Sequence, residues 1–312
     1  MKTVFMFPGQ GVQYFQMGRQ LFDAHPVFRD WMLRLDHTAQ AVLGRSIIGA
    51  IYAGGRSETF NGTLLTHPAI FMVEVAMAQC LISEGIEPDM TLGASLGTYP
   101  ALVTAGAIDV FDAMEAVAKQ AQIFEKTCPK GIMLAVFASL AVATSAWLAA
   151  RSELVASDLS THFVIALPEH HLADVEAALG RRGILSQQLP VEFAYHSRWI
   201  DEARPSFDAL TRRITRSELD LPLACSAHAT VLSALPDDFH WRVVRQPIQL
   251  RRTLETVESQ GPCRFIDVGP SGSLATLAKH VLPPTSASTV HAVLTPYGRD
   301  LSNLDALKGR RH

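Results

Sequence analysis

Short apolar runs alternate with longer stretches of helical periodicity along this chain, and the alternation predicts a mixed α/β fold. Residues 3–7 are apolar directly after Met1-Lys2, too short for the hydrophobic stretch of a signal peptide and suited to a first core strand. Residues 88–92 read as a second buried strand, and residues 95–105 as a helix that stops at Gly106. From 110 to 126 the pattern is helical. Ala116, Val117, Ile123 and Phe124 lie three or four positions from Gln120, which puts Gln120 on the inward face.

The texture changes in the middle of the chain. Residues 131–138 predict a strand, 140–151 a helix, and 154–158 and 162–167 two more strands. A helix over 169–181 follows, with Leu172, Val175, Ala178 and Leu179 on one side, and then a last strand over 184–193. This βαββαβ order is ferredoxin-like. It predicts a small ferredoxin-like subdomain over residues 129–195, inserted into a large α/β subdomain made of residues 1–128 and 196–312, with a ligand-binding cleft between them. The uncharged stretch 131–150 is long enough for a membrane span of about 20 residues. Its alanines, with Ser139, Thr144 and Ser145, make it only mildly hydrophobic, so it reads as a buried strand and core helix, and no membrane association is expected. The polar tail after Tyr297 is expected to be loosely ordered.

Composition narrows the function classes. With 27 Lys+Arg against 30 Asp+Glu, the net charge of −3 favours neither nucleic acid nor an anionic membrane surface. Cys80, Cys128, Cys225 and Cys263 have no CxxC spacing and no neighbouring histidine pair, which argues against a zinc site and against a disulfide scaffold. A reduced, cytoplasmic setting is the expectation.

The densest chemical signal is Gly93-Ala94-Ser95-Leu96-Gly97, a Gly-x-Ser-x-Gly run between a predicted strand and a predicted helix. There the small residues allow a sharp turn that presents a serine hydroxyl for acyl chemistry. A serine needs a base, and the chain holds twelve histidines. The order serine, acid, histidine would nominate His280 or His291. The competing candidate is His196 in Phe193-Ala194-Tyr195-His196-Ser197, where the small subdomain hands the chain back to the large one. His67, just before Pro68, reads as a residue at the start of a helix.

Five motifs occur in a fixed order: Phe7-Pro8-Gly9-Gln10-Gly11, Thr66-His67-Pro68-Ala69, the elbow at Ser95, Tyr195-His196-Ser197, and Asp267-Val268-Gly269-Pro270. In this the chain resembles the acyl-CoA:acyl carrier protein acyltransferase family, whose type member is malonyl-CoA:acyl carrier protein transacylase and which includes the acyltransferase domains of polyketide synthases. The resemblance spans essentially the whole sequence. It implies an α/β-hydrolase-like large subdomain, Ser95 as nucleophile and His196 as general base and then acid. The histidine ring would be oriented by a main-chain carbonyl near Val243, and the backbone amides of Gln10 and Leu96 would form the oxyanion hole. No cofactor is implied, the acyl group travelling on the phosphopantetheine of an acyl carrier protein or on CoA. A monomer is expected, with Arg198, Arg204 and Arg251 as candidates for a basic rim facing an acidic carrier.

Three positions depart from the family pattern. Malonyl-selective relatives carry an arginine 25 residues after the nucleophile to pair with the malonyl carboxylate, and 120 − 95 = 25 lands on Gln120. The residue before the serine is histidine in most relatives and is Ala94 here, which makes the pocket wall smaller and more apolar. An asparagine of the small subdomain aligns with Asp158. Glutamine in place of the arginine resembles the stand-alone acyl hydrolases of trans-acyltransferase polyketide pathways. The leading expectation is an editing hydrolase that releases neutral acyl groups from carrier thioesters through acyl-Ser95. A trans-acting acyltransferase that loads a carrier protein is the alternative, and an inactive partner-binding homologue is a third.

Overall fold

A computed structural model describes residues 1–55 and 58–309. The tail after Tyr297 is not loosely ordered as expected, since Asp300–Lys308 is a helix that buries Leu304 and Leu307 against the larger unit, while residues 310–312 lie outside the described residues. Ten strands occur among them: β1 (Lys2–Phe7), β2 (Met90–Gly93), β3 (Gly131–Val136), β4 (Glu153–Leu159), β5 (His162–Pro168), β6 (Ser186–Gln188), β7 (Leu223–Cys225), β8 (Thr230–Leu232), β9 (Cys263–Asp267) and β10 (Thr289–Ala292).

The larger sheet has the order β10-β9-β1-β2-β7-β8, parallel except for the β7–β8 pair. Its centre is β1, whose Val4 to Phe7 are wholly buried, as expected of a strand covered on both faces. Register pairs Phe7 with Gly93 and Met6 with Asp267, so three strands end together. The loops that leave them carry Pro8-Gly9-Gln10, Ala94-Ser95 and Val268-Gly269-Pro270, at the carboxyl edge where open parallel sheets bind ligands. The apolar helix Thr63–Ser83 is packed between the helices Pro26–Leu43 and Val110–Thr127 and is buried along most of its length.

The second sheet is antiparallel, in the order β4-β5-β3-β6. Counted within the βαββαβ segment this is second, third, first, fourth, the ferredoxin-like arrangement. One face, with Leu134, Val136, Phe163 and Ile165, packs on the outer helices through Leu148, Val175 and Leu179. The other, with Met133 and Ala166, joins Phe124, Phe193 and Tyr195 against the larger unit. The fold is therefore α/β, with a hydrolase-like larger part and a ferredoxin-like smaller one.

Several elements differ from their sequence expectation. The helix over 140–151 is replaced by a turn of 3₁₀ helix at Leu140–Val142 and the short helix Ala146–Ala149. Thr144 and Ser145 donate their hydroxyls back to the carbonyls of Ala141 and Val142, a local competition that breaks helices. The last strand shrinks to Ser186–Gln188 because Pro190 lacks an N–H to continue the ladder. After the nucleophile, Ser95–Gly97 is 3₁₀ and the α-helix runs Thr98–Thr104. His67 is the fifth residue of the helix Thr63–Ser83, not its first, with Pro68 tolerated inside the first two turns.

Candidate active site

The elbow is built by close packing. A Cβ on Gly97 would lie 2.1 Å from the carbonyl oxygens of Phe7 and Pro8, and one on Gly93 2.6 Å from the Thr98 Cα. Only glycine lets the chain fold back against β1 in this way. Ser95 is thereby held in the left-handed region at φ 54°, a conformation that costs a non-glycine residue about 1–2 kcal/mol. His196 sits there too, at φ 61°.

The two strained residues meet. Ser95 Oγ lies 2.8 Å from His196 Nε2, and His196 Nδ1 lies 2.8 Å from the carbonyl oxygen of Gln246. A carbonyl can only accept, so Nδ1 carries the proton and the Nε2 lone pair receives the Ser95 hydroxyl. Burial pushes the imidazole down to about 4, opposed by the Gln246 carbonyl and reinforced by nearby Arg245, so the ring is neutral at pH 7. The orienting carbonyl thus belongs to Gln246 and not to Val243. Val243 lies within the helix Phe239–Arg245, whereas Gln246 is the C-cap in extended conformation, so its carbonyl turns away from the helix axis. The same helix end accepts the His196 N–H through the Val244 carbonyl, at 3.1 Å. His280 and His291 fall elsewhere: His280 bonds its own helix at Thr276 and His291 contacts Thr289.

Gln10 and Leu96 flank the serine at the cavity wall. Among the described residues no acceptor takes the backbone N–H of either. The Gln10 side chain is tied down, donating to Thr66 Oγ1 at 2.8 Å and accepting from His67 Nε2 at 3.1 Å. That anchoring was not legible in the sequence, although Thr66 and His67 stood out as a motif. Burial pushes His67 to about 3, so its ring is neutral.

A cavity of about 210 Å³ opens over Ser95, between the strand ends of the larger sheet and the cleft face of the smaller one. Ala94 and Ser95 form its floor, Phe124, Met133, Tyr195, Val191 and Ile248 its apolar walls, and Gln120 its inner end. Gln120 is 1% exposed on the helix Val110–Thr127, and its Oε1 has no hydrogen-bond partner. Lys119 points away and pairs with Glu115. Among the described residues no arginine or lysine lines the cavity, and the one acidic side chain there, Asp158, accepts the Arg251 backbone N–H at 2.8 Å.

Behind the wall, buried Asp267 accepts the N–H groups of Gly269 and Ala275 and so fixes the loop that brings Ser273 and Leu274 to the cavity. Burial raises its carboxyl to about 6. Glu74, fully buried nearby with neither oxygen bonded, is pushed well above the usual carboxylate range, first by burial and then by Asp267. Among the described residues no group of three or more histidine, cysteine, aspartate or glutamate side chains is placed to hold a metal ion.

The sequence profile described as "Acyl transferase domain" matches residues 4–311. The chain is 37% identical over 308 residues to the "Polyketide biosynthesis acyltransferase homolog PksD" of Bacillus subtilis (strain 168), covering 98% of this chain and 95% of that protein. Identity is likewise 37% to the "Polyketide biosynthesis acyltransferase homolog BaeD" of Bacillus velezensis, with the same coverage. Among solved structures, MCAT from Streptococcus pneumoniae superposes with a TM-score of 0.81 at 26% identity, over 99% of this chain and 100% of that one.

Proposed function

Because this chain belongs to the acyl transferase domain family, we propose that it is an editing enzyme of polyketide biosynthesis, removing neutral acyl groups from acyl carrier protein thioesters through an acyl-Ser95 ester resolved by water. The observation that carries the reading is the uncharged inner end of the cavity, where Gln120 presents an amide oxygen without a partner and, among the described residues, no lysine or arginine lines the wall. A malonyl carboxylate buried there would lack a cation and lie in a cavity that already holds Asp158, at a cost of several kcal/mol, each 1.4 kcal/mol being about tenfold in affinity. An uncharged acyl chain meets apolar walls, widened by Ala94 on the floor. Four cysteines, all free, fit a reduced cytoplasmic setting for this role.

In the proposed cycle Ser95 Oγ attacks the thioester carbonyl carbon while its proton passes to His196 Nε2. The oxygen of the tetrahedral intermediate is held by the Gln10 and Leu96 N–H groups. The C–S bond then breaks, His196 returns the proton to the departing pantetheine thiolate, and the acyl group remains on Ser95. Water attacks the ester as His196 takes one of its protons. The C–Oγ bond breaks, and that proton restores the Ser95 hydroxyl.

Acetyl- and malonyl-loaded carrier protein separate the readings when free acid, transfer to a second carrier and the acyl-enzyme mass are all followed. Faster release of acetate than of malonate is expected. Transfer with negligible hydrolysis would make the enzyme a loading acyltransferase, and a malonyl preference would overturn the argument from Gln120. Ser95→Ala should abolish the covalent species, and Gln120→Arg should raise malonyl turnover at least tenfold relative to acetyl, the equivalent of about 1.4 kcal/mol.

A further inference from the structure

His196 is held by two separate stretches of the larger unit. One is its own segment, which runs on through Ser197 and Arg198. The other is the end of the helix Phe239–Arg245, where the Val244 carbonyl accepts the His196 backbone N–H and the Gln246 carbonyl accepts from the ring.

A single carboxylate of the smaller unit reaches both stretches. Glu153, the first residue of β4, accepts the Arg198 backbone N–H at 3.0 Å on Oε2 and the Arg198 guanidinium at 2.7 Å on Oε1. The Arg245 guanidinium lies 3.6 Å from the same Oε2, and its Nε donates to Asp201 Oδ1 at 2.7 Å. Arg198 follows His196 by two residues, and Arg245 directly precedes Gln246. An isolated surface pair contributes little, but here the Glu153 and Arg245 side chains are mostly buried and share partners, which fixes their geometry. Arg198 is thus tied into the cluster and does not stand free on a basic rim; Arg204 and Arg251, expected there with it, pair with Asp208 and Glu255.

The cluster also sets the charge around the base. Arg245 disfavours the imidazolium that must form when the Ser95 proton arrives. Glu153 and Asp201 oppose it, and Arg198 balances the remaining charge. Of the other groups beside the ring, Asp158 accepts the Arg251 N–H, His67 is neutral, and the elbow from Gly93 to Gly97 carries no charge.

We propose that Glu153 is a positioning residue for His196: it ties the smaller unit to both stretches that hold the ring and offsets the Arg245 charge, so that the base stays aligned and its imidazolium can form. This rests on His196 being the base of the proposed cycle. The base is then complete only when the smaller unit is seated.

The rate at which a fluorophosphonate labels Ser95, followed by intact mass, reads the dyad without any thioester. Glu153→Gln keeps the shape of the side chain and removes its charge. It should slow labelling about tenfold and lower kcat on acetyl-N-acetylcysteamine by a similar factor, with KM held within about twofold. Unchanged labelling and kcat, or a loss carried by KM, would overturn the proposal whatever happens to Tm, because a brace of the fold alone moves stability and not the reactivity of the pair. Arg245→Gln keeps the Gln246 carbonyl and removes the cation, so the acid limb of labelling should move upward from about 4, and an unmoved limb would equally overturn it. An enzyme that labels readily but hydrolyses no carrier thioester would sink the hydrolase reading, while the labelling rates of the variants still decide the role of Glu153.

Discussion

Ser95 and His196 are two of only four non-glycine residues held at positive φ among the described residues, and strain of that kind persists only where the surroundings over-determine it. For Ser95 the strain comes from the elbow; for His196 it comes from a backbone bond to Val244 that aims the ring at the serine. Because the reaction needs a neutral His196 and burial depresses its titration, activity should hold as pH falls through the ordinary histidine range near 6.5 and be lost only near 4. The acid limb of a kcat/KM profile on a small thioester measures this directly, and a limb at 6.5 would mean a solvated ring. At this scale the sequence picked out residues that the structure brings together. The Gly-x-Ser-x-Gly run and the Tyr-His-Ser motif nominated Ser95 and His196, and the helical period put Gln120 inside, where the structure has it. It missed the orienting carbonyl, because any residue supplies one and side-chain identity carries no trace of where a helix ends.

Elements turn those residues into a site through backbone contacts that glycine alone permits. Gly97→Ala would drive a methyl into two main-chain oxygens at 2.1 Å, and overpacking against backbone of this kind should cost about 3 kcal/mol or more in a denaturant titration. Gly180→Ala makes the contrasting case. It ends the helix Leu172–Gly180 with nothing within 4 Å of its Cβ position, so the change should stabilise the protein by about 0.5–1 kcal/mol. Strong periodicity marked the helix over 110–126 to within a residue or so, since its apolar face repeats through several turns. Segment 140–151 was mistaken for a single helix because alanine pattern says nothing about hydroxyls turning back on the chain. The last strand of the smaller sheet was overextended for a similar reason, with Pro190 ending the ladder inside an otherwise apolar run.

At the scale of the whole molecule the cavity exists because two sheets are tied at a seam. Ile248 N donates to the Val155 carbonyl at 2.7 Å, and Asp158 on β4 caps the helix Leu250–Glu258 of the other unit by accepting the Arg251 N–H. Asp158→Ala should remove this cap, costing about 1–3 kcal/mol and lowering Tm by about 2–4 °C for each of them. Loosening the mouth should raise KM for the thioester more than it changes kcat, and an unchanged Tm would show that the cap carries no weight. The sequence by itself determined the main order of elements, the two-part architecture, the candidate pair Ser95 and His196 and the glutamine in place of a cation at position 120, because periodicity, glycine placement and residue chemistry are local properties. Tertiary structure alone decided which carbonyl holds His196, that Gln10 is braced by Thr66 and His67, and that Glu153 of the smaller unit meets both Arg198 and Arg245. Each of these depends on groups far apart in the chain meeting within a few ångströms, and no pattern along the chain records that distance.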